Sequence, residues 1–268
     1  MSESINISIK PEPVFALGKD FGNFVITNSM LSTLLICSFL CIFATIAGST
    51  IKNGIKVNRL QNLLEAFFSF VEGFTSDNLG SQSKARKYIG LSVSLFLFVL
   101  LGSWFGLLPL VAGDHLVASD VGFEFAYPLF RAPTTDINAC LAIALISFLV
   151  IQYAGFNAHG FKYLGKFFTF KGGPIGSFVG ILELISEFSK LLSFSFRIFG
   201  NIFAGEVLLL ILFFFTKNIW LPFPSLIIAM EVVVAIIQSY VLVALLSTFI
   251  GIAVESHDDH DHKEPQLV

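Results

Sequence analysis

Long apolar runs, separated by shorter polar segments, dominate the pattern of the chain. A helix of about 20 apolar residues crosses the hydrocarbon core of a bilayer. The pattern predicts an all-α polytopic membrane protein with a tail over 1–28, one membrane domain over 29–256 and a second tail over 257–268. The five predicted spans cover about 30–51, 88–110, 136–154, 177–215 and 225–255.

Residues 59–79 have apolar positions at helical spacing but are too polar to span a membrane. Gln61, Glu65 and Glu72 interrupt the apolar positions. We expect an interfacial amphipathic helix that lies on the membrane surface. A helix packed on a partner subunit fits the same pattern equally well.

The last two apolar runs are longer than one perpendicular crossing. The run over 177–215 would extend about 60 Å as a helix, roughly twice the thickness of a hydrocarbon core. It must therefore be tilted or protrude from the membrane. With the run over 225–255 it is predicted to form a long tilted hairpin.

Composition excludes a soluble protein. Hydrophobic residues make up 55% of the chain and charged residues 13%, whereas soluble domains carry about 25% charged residues. Cys37, Cys41 and Cys140 lie within apolar runs, where cysteine packs as a small hydrophobic residue. Because no metal-ligand spacing, nucleotide-binding loop or nucleophile elbow appears, we expect no metal, cofactor or nucleic acid partner.

The basic residues predict the orientation of the spans. The 52–87 segment holds six Lys or Arg and the 155–175 segment three, whereas the 111–135 segment holds only Arg131. Basic loops stay on the cytoplasmic side of a membrane. The N-terminus is therefore predicted to lie outside and the C-terminus in the cytoplasm.

Arg197 is the main candidate for function, because it lies in the middle of an apolar span. A guanidinium does not lose its proton, and placing it at the centre of a bilayer costs roughly 2.5–3.5 kcal/mol. It needs a carboxylate partner or water. At about 100° per residue, five polar residues lie within about 40° of Arg197 on a helix: Glu183, Ser186, Lys190, Ser193 and Asn201.

Carboxyl groups lie on both sides of Arg197 along the predicted hairpin. Glu183 and Glu187 precede it toward the cytoplasm, and Glu206 follows it roughly 13 Å further outward. On the returning helix, Glu231 lies on the outer side and Gln238 deeper. Hydrogen bonding to neighbouring helices would explain isolated buried glutamates. Carboxyls near each face with a fixed cation between them are what two offset proton paths require.

Asp136 stands where the third span begins. Its side chain can accept hydrogen bonds from the free N–H groups of the first helical turn. Capping and a part in an ion path remain equal alternatives for this residue.

At these residues the chain resembles subunit a of F-type ATP synthases, from about Gln61 onward. The segment SFSFRIFGNIFAGE around Arg197 carries the resemblance, and Gln238 lies in a matching IIQSYVLVALL context. GLLPL at 106–110 and PTTDIN at 133–138 support it.

The resemblance implies the proton-translocating stator of a rotary motor. The partners it implies are a rotor ring of c subunits, peripheral stalk b subunits and the rest of the ATP synthase, where the ATP chemistry would occur. Arg197 would face the rotor carboxylate, with Asn201 and Gln238 as polar neighbours. Glu206 and Glu231 would form the outer half-channel, and Glu183 the inner one.

The chain departs from the family pattern at the outer half-channel. Many members pair a Glu with a His at the positions of Glu206 and Glu231, whereas both are Glu here. Two neighbouring carboxyls can share one proton. Some members carry an Asp in place of Gly106.

A self-contained ion-coupled secondary transporter is the alternative function, although such transporters often contain inverted repeats and none appears here. An N-terminus without a transit-like segment favours a bacterial inner membrane. A protein encoded within an organelle would show the same feature, and H⁺ or Na⁺ coupling stays open.

Overall fold

The computed structural model describes residues 13–16, 25–52, 59–107, 115–119, 122–126, 131–166, 173–215 and 223–255. Within these ranges the chain forms six α-helices and two 3₁₀ helices, Pro133–Thr135 and Gly160–Lys166. The α-helices are α1 Asn28–Lys52, α2 Arg59–Leu79, α3 Gln82–Leu107, α4 Ile137–His159, α5 Gly173–Phe215 and α6 Phe223–Val254. Both predicted terminal tails fall largely outside the described residues, as do residues 108–110 of the GLLPL motif.

Five of the described helices are long and apolar enough to cross a membrane, namely α1, α3, α4, α5 and α6. The predicted fold class, an all-α polytopic membrane protein, is thus confirmed. Helix α5 has 43 residues and α6 has 32. At about 1.5 Å per residue, both exceed a hydrocarbon core of roughly 30 Å.

Helix α2 has the bounds that the sequence predicts, and it packs on α3 and α6 of its own chain. One face is buried, through Leu64, Val71 and Thr75, whereas Leu63 and Phe70 on the other face are exposed. The ring of Phe74 lies 5.0 Å from that of Tyr240 on α6. Only part of the apolar face is therefore covered within the chain, and the interfacial location of α2 stays a prediction.

Two short antiparallel hairpins depart from a purely helical chain. Strand β1, Pro13–Ala16, pairs with β2, Val25–Thr27, and β3, His115–Ser119, pairs with β4, Gly122–Ala126. In the second hairpin Ser119 pairs with Gly122, so only two residues connect the strands. Both hairpins lie outside the five candidate spans.

The core lies between α3, α4, α5 and α6. Small residues on α4, such as Ala144 and Ser147, are fully buried, and small residues let helices approach closely in a membrane. The Ser147 hydroxyl donates to the carbonyl oxygen of Ile143 within its own helix, which satisfies a polar group in the apolar core. Large core side chains include Phe96, Val99, Ile151, Ile198, Leu242, Leu246 and Ile250.

Contacts at the two ends of the helices define the frame of the site. At one end, the Asp136 end, the Ser29 hydroxyl at the start of α1 donates to Asp136 Oδ2 over 2.7 Å. At the other, the Asn78 end, the side-chain amide of Asn78 donates to the Ser247 hydroxyl near the end of α6 over 3.1 Å. Helices α5 and α6 extend between these two ends.

Candidate functional site

Arg197 lies on the wall of an open cleft of about 330 Å³ between α5 and α6. The α5 residues of this Arg197 cleft include Ser186, Lys190 and Ser193, which recur at helical spacing. Three of the five residues predicted to share a face with Arg197 therefore lie in the cleft with it, whereas Glu183 and Asn201 do not line it. Leu245 and Phe249 of α6 form the apolar side of the cleft.

The guanidinium of Arg197 has a weak partner in its own chain. Its Nη2 donates to the Ser193 hydroxyl over 3.4 Å. Among the residues that the structure describes, no carboxylate lies within ion-pair distance of Arg197. A permanent cation at an open site in an apolar span attracts an anion or water from outside the chain.

An amide pair joins α5 and α6 one helical turn from Arg197. The Asn201 side chain donates from Nδ2 to Gln238 Oε1 over 2.7 Å. Gln238 is only 3% exposed. The sequence singles out both residues, and the structure brings them into direct contact.

Two carboxyl groups and an arginine meet toward the Asp136 end. Arg131 Nη2 donates to Glu206 Oε2 over 3.2 Å. Glu231 is 9% exposed and its carboxyl packs directly against Gly205, where a Cβ atom would overlap it. Within the described part of the chain, Glu231 Oε1 has no hydrogen-bond partner. The structure thus places Glu231 against the residue that precedes Glu206, and it adds Arg131 as the partner of Glu206.

A second ion pair lies toward the Asn78 end. Glu187, which is 2% exposed, accepts hydrogen bonds from Lys190 Nζ over 2.9 Å and from Gln152 Nε2 of α4 over 2.8 Å. The Tyr163 hydroxyl donates to Gln152 Oε1 over 3.0 Å. Glu183 lies one helical turn before Glu187 and is partly exposed.

Lys190 connects this ion pair to the Arg197 cleft. Its ammonium lies 4.9 Å from the centre of the Phe249 ring, close enough for a cation–π interaction. Lys190 also lines the cleft itself. The cleft therefore has two basic side chains, of which Lys190 is paired within the chain.

Asp136 is the N-cap of α4. Its Oδ1 accepts a hydrogen bond from the backbone N–H of Asn138 over 2.9 Å, and its Oδ2 accepts one from the Ser29 hydroxyl. The predicted capping role is confirmed. Both carboxylate oxygens of Asp136 have structural partners.

The site residues follow a fixed order along α5. The partly exposed Glu183 and the buried Glu187–Lys190 pair come first, then Arg197, then Asn201 with Gln238, and finally Glu206 beside Glu231. The nine residues from Arg197 to Glu206 correspond to about 13 Å, and the fourteen from Glu183 to Arg197 to about 21 Å. Acidic groups thus lie on both sides of Arg197, well separated from it.

Three residues of the site were missed by the sequence analysis: Arg131, Gln152 and Tyr163. Arg131 is the only Lys or Arg between 111 and 135, on the side predicted for Glu206 and Glu231. That coincidence was the available signal. Gln152 is a single polar residue in an apolar span, and its pairing with Glu187 depends on how α4 packs on α5.

Comparison with known proteins gives a consistent result. The family described as ATP synthase A chain matches residues 30–251. The chain is 33% identical to an ATP synthase subunit a from Gloeobacter violaceus over 75% of this chain and 74% of that protein. It is 29% identical to one from Paramagnetospirillum magneticum, over 92% and 97%, and 30% identical to one from Campylobacter curvus, over 78% and 84%.

Proposed function

The chain belongs to the ATP synthase A chain family, and on that premise we propose how it moves protons. Membership makes it a multi-pass membrane protein and a proton-translocating stator subunit of an ATP synthase. We propose that two offset half-channels lead to Arg197 from opposite sides of the membrane, and that a rotor carboxylate meets Arg197 between them.

The observation that supports this proposal most strongly is the environment of the Arg197 guanidinium. It is a permanent cation in an apolar span, it lines an open cleft, and within the described residues its hydrogen-bond partner is the Ser193 hydroxyl. A carboxyl group that faces lipid must be neutral, because an ionised one is too costly there. The same group can ionise beside Arg197. A rotor carboxyl that passed the cleft would therefore release its proton.

Glu206, Glu231, Gln238 and Asn201 form the proposed outer half-channel. Support comes from the packing of Glu231 on Gly205, the residue before Glu206, and from the Asn201–Gln238 hydrogen bond between α5 and α6. Carboxyl and amide side chains within hydrogen-bond reach can relay a proton directly or through water. Arg197 would prevent the proton from crossing directly to the other side.

Glu183 and the serines of the Arg197 cleft form the proposed inner half-channel. Ser186 and Ser193 line the cleft beside Arg197, and Glu183 lies toward the start of α5. Glu187 and Asp136 also belong to the predicted path. Both already have strong structural partners. Their part in proton conduction is tested with the variants described in the Discussion.

We further propose the bacterial inner membrane as the location, with the N-terminus outside and the C-terminus in the cytoplasm. The unequal distribution of Lys and Arg between the loops supports that orientation. A ring of c subunits would cover the Arg197 cleft, and peripheral stalk b subunits would hold the chain against the rest of the enzyme.

Disulfide cross-linking in the assembled complex tests the rotor contact. Cys37, Cys41 and Cys140 are first replaced by Ala. Ser193→Cys, which is exposed in the cleft, is then paired with a cysteine placed beside the rotor carboxylate. We expect an oxidised product that joins this chain to a rotor subunit.

Leu145→Cys is the matched control, because Leu145 is 44% exposed but lies on α4. It should give no rotor product. A product from Leu145→Cys and none from Ser193→Cys would contradict the proposal. Purification of the chain as an active carrier without any ATP-hydrolysing assembly would favour the secondary transporter instead.

A further inference from the structure

Arg131 is held in place by contacts from two other helices. Its backbone N–H donates to the Ser32 hydroxyl of α1 over 3.2 Å. The next residue, Ala132, packs so closely on α3 that a Cβ atom at Gly106 would overlap it. The buried 3₁₀ helix Pro133–Thr135 follows directly. The backbone that carries the Arg131 side chain is therefore fixed by packing.

The guanidinium of Arg131 is largely removed from solvent, whereas its partner is not. The Arg131 side chain is 11% exposed and that of Glu206 is 42% exposed. Electrostatic attraction is stronger where solvent screening is weak. The Arg131–Glu206 contact is therefore anchored on a side chain that solvent screens little.

Glu231 has a different environment from Glu206, although the two carboxyls are neighbours. It extends from α6 and packs against Gly205, the residue before Glu206. Its Oε1 is buried and lacks a hydrogen-bond partner within the described residues. Of the adjoining helices, α3 contributes the indole of Trp104, which donates to the backbone oxygen of Val232, and α1 contributes Ser32.

We propose that Arg131 is a positioning residue of the outer half-channel, which holds Glu206 as its counter-ion and leaves Glu231 as the carboxyl that carries the exchangeable proton. The inference rests on the function proposed above. When protons flow inward, the O–H of Glu231 gives its proton to the rotor carboxylate, and a proton taken up through water from the outer side restores it. ATP-driven pumping runs the same two transfers in reverse, from the rotor carboxyl to the Glu231 carboxylate and then to the outer side. The two carboxyls therefore do not share one proton equally.

The test is ATP-driven proton pumping by the complete complex in inverted membrane vesicles. Arg131→Met removes the charge at nearly constant volume and should lower pumping about tenfold, which lies within the coupling expected for contacting charged residues. Arg131→Lys keeps the charge and should restore most of the activity. The double variant Arg131→Met with Glu206→Gln removes both charges and should pump better than Arg131→Met alone.

A role in packing alone would give a different pattern, because removing the Glu206 charge could not repair a packing defect. Arg86→Met is the control, since Arg86 pairs with Glu72 over 3.0 Å but is 71% exposed. It should leave pumping unchanged. The proposal is overturned if Arg131→Met pumps like the parent, or if the double variant is no better than Arg131→Met.

Two further variants keep the test decisive. If the Arg131→Met complex does not accumulate, Arg131→Glu is compared with Arg131→Glu plus Glu206→Lys, and no gain from the second change overturns the proposal. Arg197→Ala in the same membranes distinguishes a failure of the proposed function from a failure of this inference. Normal pumping by Arg197→Ala contradicts the proposed function, whereas loss of pumping there with normal Arg131 variants contradicts only this inference.

Discussion

The two ion pairs on opposite sides of Arg197 along α5 are built in opposite ways. Glu187 and Lys190 lie three residues apart on α5, so one helical turn brings them together. Arg131 and Glu206 are 75 residues apart in the sequence, and their contact depends on the packing of the Arg131 segment on the helix bundle. The first pair is local and the second is a product of the fold.

The surroundings of the two pairs also differ in whether every carboxyl oxygen has a hydrogen-bond partner. Glu187 is bonded on one oxygen by Lys190 and on the other by Gln152. Beside the Arg131–Glu206 pair, Glu231 has a buried oxygen without a partner among the described residues. A fully bonded carboxylate stabilises structure, whereas a carboxyl with a free oxygen is available to exchange a proton. This comparison predicts that the Glu187–Lys190 pair governs assembly of the complex. Arg131, Glu206 and Glu231 are predicted to govern proton transport.

Breaking the Glu187–Lys190 pair should have the largest effect on stability. Glu187→Ala leaves the ammonium of Lys190 without its partner and Gln152 without its acceptor. Because Lys190 is 21% exposed, the cost should fall below the roughly 3–5 kcal/mol typical of a fully buried pair. We expect the assembled complex to fall sharply in the membrane. The measurement is the amount of complex in purified membranes and its thermal midpoint in detergent.

The compensating control is Glu187→Leu with Lys190→Met, because replacing both charges of a buried pair by apolar groups is often neutral. Assembly should return in large part, and the loss that remains should be that of the acceptor for Gln152. Pumping by the restored complex then separates two roles for Glu187. Normal pumping would remove Glu187 from the proton path, and loss of pumping would show that transport needs Glu187 or Lys190. A double variant as unstable as Glu187→Ala would contradict the account of the pair.

Gly205→Ala should have the next largest effect, on transport. The new methyl group would occupy the space of the Glu231 carboxyl, and overpacking of this kind typically costs about 1–3 kcal/mol. We expect ATP-driven pumping to drop about tenfold because the Glu231 carboxyl is displaced; a factor of ten in rate corresponds to about 1.4 kcal/mol in the activation barrier.

Gly90→Ala on α3 is the matched substitution, because nothing lies within 4 Å of a Cβ atom there. It should pump normally. Equal loss from both glycine variants would show that helix flexibility, rather than the position of Glu231, limits transport.

Asp136 should give the smallest effect. Removal of an N-cap side chain costs about 1 kcal/mol, so Asp136→Ala should lower the thermal midpoint of the complex modestly. Asp136→Asn keeps the capping acceptor and should leave both the thermal midpoint and pumping unchanged. Loss of pumping in Asp136→Asn, with the midpoint intact, would instead support a part for Asp136 in the ion path.

Sequence periodicity predicted the elements and contacts that depend on one helix. The bounds of α2, the number of spanning helices and the polar face around Arg197 all follow from spacing along a helix. The Asp136 cap was also predictable, since it depends on residues within one turn. Interactions within one helix therefore account for the spanning helices, for α2, for the polar residues around Arg197 and for the Asp136 cap.

Contacts between distant segments could not be read in this way. In the sequence, Arg131 is an isolated basic residue between two spans. Nothing in the neighbouring residues indicates that Glu206 is its partner. Gln152 pairs with Glu187 only because α4 packs on α5. The β3–β4 hairpin was not predicted, because its strands have only five residues each and lie between the long apolar runs of the spans.

Replacement of Arg197 tests the central claim most directly. ATP-driven proton pumping in inverted vesicles is compared for the parent, Arg197→Ala and Arg197→Lys, with the amount of assembled complex measured in each. We predict that Ala abolishes pumping with assembly intact. Lys should also fail or nearly fail, because it lacks the planar guanidinium and can lose its proton when desolvated. Normal pumping by Arg197→Ala would mean that the polar face only packs helices, and it would contradict the stator mechanism.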